Sequence, residues 1–189
     1  MYPGENINSL NLDLLNFDDV FVVVTDKPDD LNGCGHIGLK IGVKGTDKDY
    51  FIHVPGPHQI GDRFSENLKR FYGLYITPQY MPYLEYQNYF TSNGYKVVSK
   101  DKIPLDSKGR KAKIKAKLES FQDKPKTYGF IVKNCMTFVR EVLESAGITV
   151  HSNFERWNTY LPLNIECPIS DWSMKSPKHL LNLQGVSGS

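Results

Sequence analysis

One cysteine and two histidines are the side chains whose types and surroundings point to nucleophilic chemistry. Cys135 follows Asn134 at the start of NCMTFVREVLESA, residues 134–146. Phe138, Val139, Val142, Leu143 and Ala146 recur there at helical spacing, so the segment reads as an amphipathic helix, capped by Asn134 and ended by Gly147. A thiol in the first turn of a helix lies where unpaired amides and the helix dipole favour an anion, and the thiolate is the nucleophilic form. A structural cysteine would suit a helix start as well, so the reading needs a base close by.

The candidates for that base are His36 and His53. In HIGLKIG, Ile37, Leu39 and Ile41 alternate with His36, Gly38 and Lys40, the pattern of a half-buried strand; after the turn VKGTDKD, YFIHV forms its partner. A turn centred on Lys44 and Gly45 predicts His36 opposite His53, Gly38 opposite Phe51 and Lys40 opposite Asp49, with Ile37 and Ile52 on the other face. Gly38 would leave room for substrate beside His36. One imidazole would take the thiol proton and the other would hold it in its useful tautomer. The main-chain N–H of Cys135 would help to stabilise an oxyanion.

The elements that must position these groups are few. Val20 to Val24 form a buried strand before a loop rich in Pro, Asn and Gly, and GYKVVSKDKIPL reads as a further strand. The aromatic-rich stretch from Phe71 to Tyr95 serves either as core or as the wall of a substrate groove. The basic run over residues 100–117 has no interleaved aromatics. With Ser107 as cap and Ala112, Ile114, Ala116, Leu118 and Phe121 as its apolar residues, it reads as the wet face of a helix, not as a nucleic-acid site.

At 189 residues, with hydrophobic residues at 40%, charged residues at 23% and a formal net charge of +2, the chain has the make-up of one globular domain. No apolar run is long enough for a membrane-spanning helix. Met1 to Phe17 lacks the basic and apolar regions of an ordinary signal peptide, so synthesis in the cytoplasm is expected. Cys34, Cys135 and Cys167 make a poor disulfide framework. A metal site built from Cys34 and His36 with His53, His58 or Cys135 lacks the close second pair of structural zinc sites, so neither metal nor cofactor is expected. The Asp18–Asp19 and Asp29–Asp30 pairs read as flank and loop residues, and Gly33-Cys34-Gly35 is too short for a phosphate loop. His151 and His179 have no partner identifiable in the sequence.

GHIGLKI (35–41), YFIHVPG (50–56) and YGFIVKNCMTFVREVLESAGI (128–148) together resemble the circularly permuted branch of the papain-like superfamily. That branch includes permuted NlpC-type cell-wall peptidases and lecithin:retinol acyltransferase-like enzymes. In it Gly-His opens a strand, a second polar residue follows on the next strand, and Asn-Cys opens a later helix. The resemblance implies Cys135 as nucleophile, His36 as base and His53 as the orienting residue, with Tyr128 lining the site beside Asn134 and Gly38. Met136 and Thr137 depart from the Glu-His common in the acyltransferase-like group.

The implied fold is α+β and permuted papain-like: one domain over 1–189, with a small antiparallel sheet packed against the Cys135 helix and residues 57–127 as an insertion-like specificity region. The implied activity is cleavage of an amide bond through a thioester, foremost in bacterial peptidoglycan, as an endopeptidase or amidase. Chains of this kind also act as antibacterial toxin effectors, which a type VI-like secretion machine would carry to the target-cell periplasm. A cognate immunity protein would then be a partner. The rival readings are an acyltransferase or phospholipase with the same three residues, a protein deamidase or protease, and a non-enzymatic interaction module.

Overall fold

β-Branched and aliphatic residues at alternate positions dictate a sheet that is apolar on both faces, and the computed structural model supplies a layer for each. It describes residues 2–26, 36–55, 77–105, 109–123, 135–150 and 181–182. The main sheet contains β1 (Glu5–Asn6), β2 (Leu15–Asp26), β3 (His36–Val43), β4 (Asp49–His53), β5 (Gln79–Pro82) and β6 (Lys96–Lys102). Its order is β1-β5-β4-β3-β2-β6, with every pairing antiparallel. The helices are α1 (Tyr83–Ser92), α2 (Arg110–Glu119) and α3 (Cys135–Ser145), and β7 (Thr149–Val150) pairs with β8 (Leu181–Asn182) apart from the main sheet. The protein is therefore α+β, with a small antiparallel sheet and, among the described residues, three α-helices.

On one face, Val20, Val22, Val24, Ile37, Leu39, Ile41 and Ile52 meet Ile114 and Leu118 of α2, Phe121 just beyond it, and the Phe138, Val139, Val142 and Leu143 stripe of α3. All of these are fully buried. A side chain of this size contributes about 1.5–3 kcal/mol when buried, before the entropy of ordering it. The stripe is thus reason enough for α3 to lie flat on β3, and Gly147, at φ 76°, ends the helix as its sequence indicates. The helices α2 and α3 run antiparallel: Arg110 Nε donates to the Ala146 carbonyl at 3.0 Å, Lys117 approaches Glu141 at 3.8 Å, and Phe121 meets Phe138 edge-on at 5.3 Å.

The opposite face carries Val23, Phe51 and Met81, packed against Tyr83, Tyr86 and Phe90 of α1 and against Tyr95. The α1 helix is absent from the sequence reading. Pro82 and three tyrosines in ten residues read more easily as loop or strand, whereas Tyr83, Tyr86 and Phe90 fall at i, i+3 and i+7 on one helical face. Of the two roles considered for the aromatic stretch, the described members Tyr80, Tyr83, Tyr86, Phe90 and Tyr95 are core, while Phe71, Tyr72 and Tyr75 lie outside the described residues. DRFSENLKRFYGL, read as holding a short helix, lies outside them too.

Within 57–127, residues 77–105 and 109–123 supply two of the six strands of the main sheet and the helices α1 and α2, so this part of the stretch is built into the fold. The basic run forms the end of β6 and α2 as expected, with Lys111 and Lys113 exposed, and Lys111 and Lys115 pairing with Asp18 and Asp13. Arg110 departs from that pattern. It is buried, and its guanidinium serves the C-terminal end of α3, where carbonyls and the helix dipole favour a cation. Ser107, the expected cap, lies outside the described residues, and the helix starts after Gly109, at φ 73°.

Candidate functional site

Strand alternation sends His36 and His53 to the same face, and the structure brings them into direct contact. His36 opens β3, His53 closes β4, and His36 Nε2 lies 2.6 Å from His53 Nδ1. The register differs from the expected one. Leu39 pairs with Ile52, Lys40 with Phe51, Ile41 with Tyr50 and Gly42 with Asp49, a slip of two residues. The cause is the turn, in which the Val43 N–H donates to the Lys48 carbonyl at 2.9 Å and Gly45 takes φ 72°. An even slip leaves every side chain on its face, so the two imidazoles still meet, now as diagonal neighbours. Lys40 and Asp49 likewise remain within 3.4 Å across the diagonal.

Both histidines are buried, at 1% and 0% exposure, in an aromatic enclosure between the sheet and α1. The His36 ring stacks on Phe90 at 5.7 Å and 13°, and His53 lies 5.0 Å from Phe51 and 6.4 Å from Tyr86 between centroids. The second nitrogen of His53, Nε2, is 2.7 Å from the Tyr2 hydroxyl. Tyr86 donates its hydroxyl to Thr25 Oγ1 at 3.2 Å, and Thr25 Oγ1 approaches the carbonyl of its strand partner His36 at 3.4 Å.

Gly38 lies two residues from His36 on the same face of β3. A Cβ there would meet the Phe51 ring, with Cε2 at 2.6 Å, and the Ile52 carbonyl oxygen at 2.9 Å. The space beside Gly38 is therefore occupied by Phe51, and Gly38 is buried under that ring.

Cys135 stands in the first turn of α3, half-buried and packed against the first core. That core lies on the α3 side of the sheet, whereas the histidine rings lie on the α1 side. Thr25, the strand partner of His36, lies at one end of the sheet. Tyr86, bonded to Thr25 at that end, has its phenol pushed well above the ordinary range by burial, with a thiolate at Cys135 adding to the effect. Asn134 and Tyr128 lie outside the described residues, as do Cys34, His58, His151, Cys167 and His179. Among the described residues no group of three His, Cys, Asp or Glu is arranged to hold a metal ion. No described helix is long and apolar enough to cross a membrane.

Burial pushes the His53 imidazole down from 6.5 to about 3, because the dry enclosure penalises its cation. Below pH 6.5 the unfolded chain binds a proton at this residue that the folded chain refuses until about pH 3. The stability contributed by neutral His53 is thus complete above 6.5 and is lost as pH falls through that window. We expect stability to decline over this range by up to about 1.4 kcal/mol per pH unit. His53→Gln should flatten the slope, measured by urea unfolding at several pH values. Parallel slopes in the two proteins would show that His53 does not carry the effect.

Sequence reasoning missed Tyr2, Thr25, Tyr86 and Phe90. The i, i+3, i+7 aromatic stripe could have revealed α1 as a cover for the histidine face, but no local signal connects Tyr2 with His53, fifty-one residues away. Comparison with protein-family models, with curated proteins and with solved structures found no match to this chain.

Proposed function

We propose that this protein is a cysteine hydrolase of the permuted papain-like kind, cleaving an amide bond with Cys135 as nucleophile, His36 as base and His53 as the residue that orients it. The observation that carries the reading is the 2.6 Å bond between His36 Nε2 and His53 Nδ1. It engages Nε2 of His36, so in this reading Nδ1 is the ring atom that takes the thiol proton. In the reaction Sγ–H passes its proton to His36 Nδ1, and the thiolate adds to the amide carbonyl carbon. Collapse of that adduct breaks the C–N bond, with His36 returning the proton to the leaving amine. Water, deprotonated by His36, then hydrolyses the thioester and releases the acid and the thiol.

The substrate class that fits the resemblance is the peptide of bacterial peptidoglycan, with delivery as an antibacterial effector and neutralisation by a cognate immunity protein in the producing cell. Purified peptidoglycan digested with the full chain should release new amine and carboxyl ends, identified by mass spectrometry of the muropeptides. Intact peptidoglycan, together with fatty acid released from phospholipid vesicles, would transfer the assignment to the lipid-acting reading. Against that alternative, the described aromatics between Tyr80 and Tyr95 are mostly buried in the core instead of lining an exposed surface. A second reading has its own support. Complete burial of both histidines in an aromatic enclosure is what a structural polar network requires, as in a non-enzymatic interaction module.

A further inference from the structure

The hydrogen-bond chain does not end at His53, and its last member is a residue to which the hydrolase reading assigns no role. The following rests on that reading and extends it. A neutral imidazole has one N–H and one lone pair. When His36 holds the proton taken from the thiol, both its nitrogens bear hydrogen, so Nε2 must donate to His53 Nδ1 across the 2.6 Å contact. His53 remains neutral in its dry enclosure, and its single hydrogen is then on Nε2, fully buried, 2.7 Å from the Tyr2 hydroxyl oxygen. A buried N–H left without an acceptor is costly.

We propose that Tyr2 is a positioning residue: its phenol oxygen accepts from His53 Nε2–H and thereby selects the tautomer in which His53 Nδ1 faces His36 as an acceptor. The opposite polarity is unproductive. If Tyr2 donates to Nε2, the His53 hydrogen moves to Nδ1 and is donated to His36 Nε2. A neutral His36 then carries its own hydrogen on Nδ1, where the thiol proton must arrive.

The N-terminal segment is built to hold the ring in place. Tyr2 meets Tyr89 edge-on at 5.6 Å and 79°. The ring folds so closely over Gly4 that a Cβ there would overlap it. Beyond Gly4, β1 pairs with β5, and the Ile7 N–H donates to the Pro78 carbonyl at 3.0 Å.

In the full chain, Tyr2→Phe keeps the ring and its packing on Tyr89 but removes the acceptor. Turnover of peptidoglycan peptide should fall about 10- to 100-fold in kcat, with KM changed less than about twofold. In 15N NMR of the histidine-labelled chain, His53 should carry hydrogen on Nε2 and a lone pair on Nδ1, and Tyr2→Phe should shift that population towards the Nδ1–H form. Gly4→Ala, which displaces the ring, should produce the same two changes. The proposal is overturned if wild-type His53 carries its hydrogen on Nδ1, or if Tyr2→Phe leaves tautomer and kcat as they were. Failure of the hydrolase reading is seen separately, as full turnover by Cys135→Ala, and the NMR comparison reads Tyr2 in either case.

Discussion

Cys135→Ala is expected to abolish hydrolysis, lowering turnover by at least about 1,000-fold, while changing stability by no more than about 1 kcal/mol. The thiol is half-buried at the start of α3, and the helix is held by Phe138, Val139, Val142 and Leu143, so removing one sulfur costs little packing. A nucleophile has no substitute in the mechanism, whereas an orienting group can be partly replaced. The two quantities are read together, turnover on purified peptidoglycan and thermal unfolding of the same preparation. A well-folded Cys135→Ala protein with undiminished turnover would end the cysteine-hydrolase reading. The opposite pattern, lost stability with no activity in the wild type on amide or ester substrates, would favour the structural module.

His36→Ala is expected to match that loss of turnover, and the double variant with Cys135→Ala should be little worse than either alone, because members of one catalytic unit are strongly non-additive. Here the structure changes the expected effect on stability. His36 is buried, stacked on Phe90 and bonded to His53, so its truncation leaves a cavity and an unsatisfied His53 Nδ1. A destabilisation of about 2–4 kcal/mol follows from those two terms. Stability loss alone therefore cannot tell base from scaffold. Alkylation can: an activated Cys135 reacts with iodoacetamide near neutral pH, and His36→Ala should slow that reaction while the protein stays folded. An unchanged alkylation rate in folded His36→Ala would remove His36 as the base.

These expectations depend on elements whose legibility in the sequence differed greatly. β3 and β4 were readable because Ile37, Leu39, Ile41 and Ile52 alternate with polar or small residues, and α3 because its stripe recurs at helical spacing before Gly147. The facing of His36 and His53 follows from the same alternation and survives a two-residue error in register. The register itself lay in the turn, where several closures of similar length compete and only the Val43–Lys48 bond decides. The α1 helix was not legible, because tyrosine-rich residues after a proline carry strand and loop preferences that packing against Phe51 and Met81 overrides.

By itself, the sequence determined that His36 and His53 stand on two alternating strands and that Cys135 opens an amphipathic helix. Those are properties of residue type and local period, and neither needs a partner distant in the chain. The tertiary structure alone decided that Tyr2 reaches His53, that Phe51 fills the space over Gly38, that Arg110 turns inward to the end of α3, and that the histidine pair lies dry beneath α1. Each of these joins segments between 13 and 54 residues apart, where contact is set by how the layers pack, since no local rule relates such positions until burial of the two apolar faces brings them together.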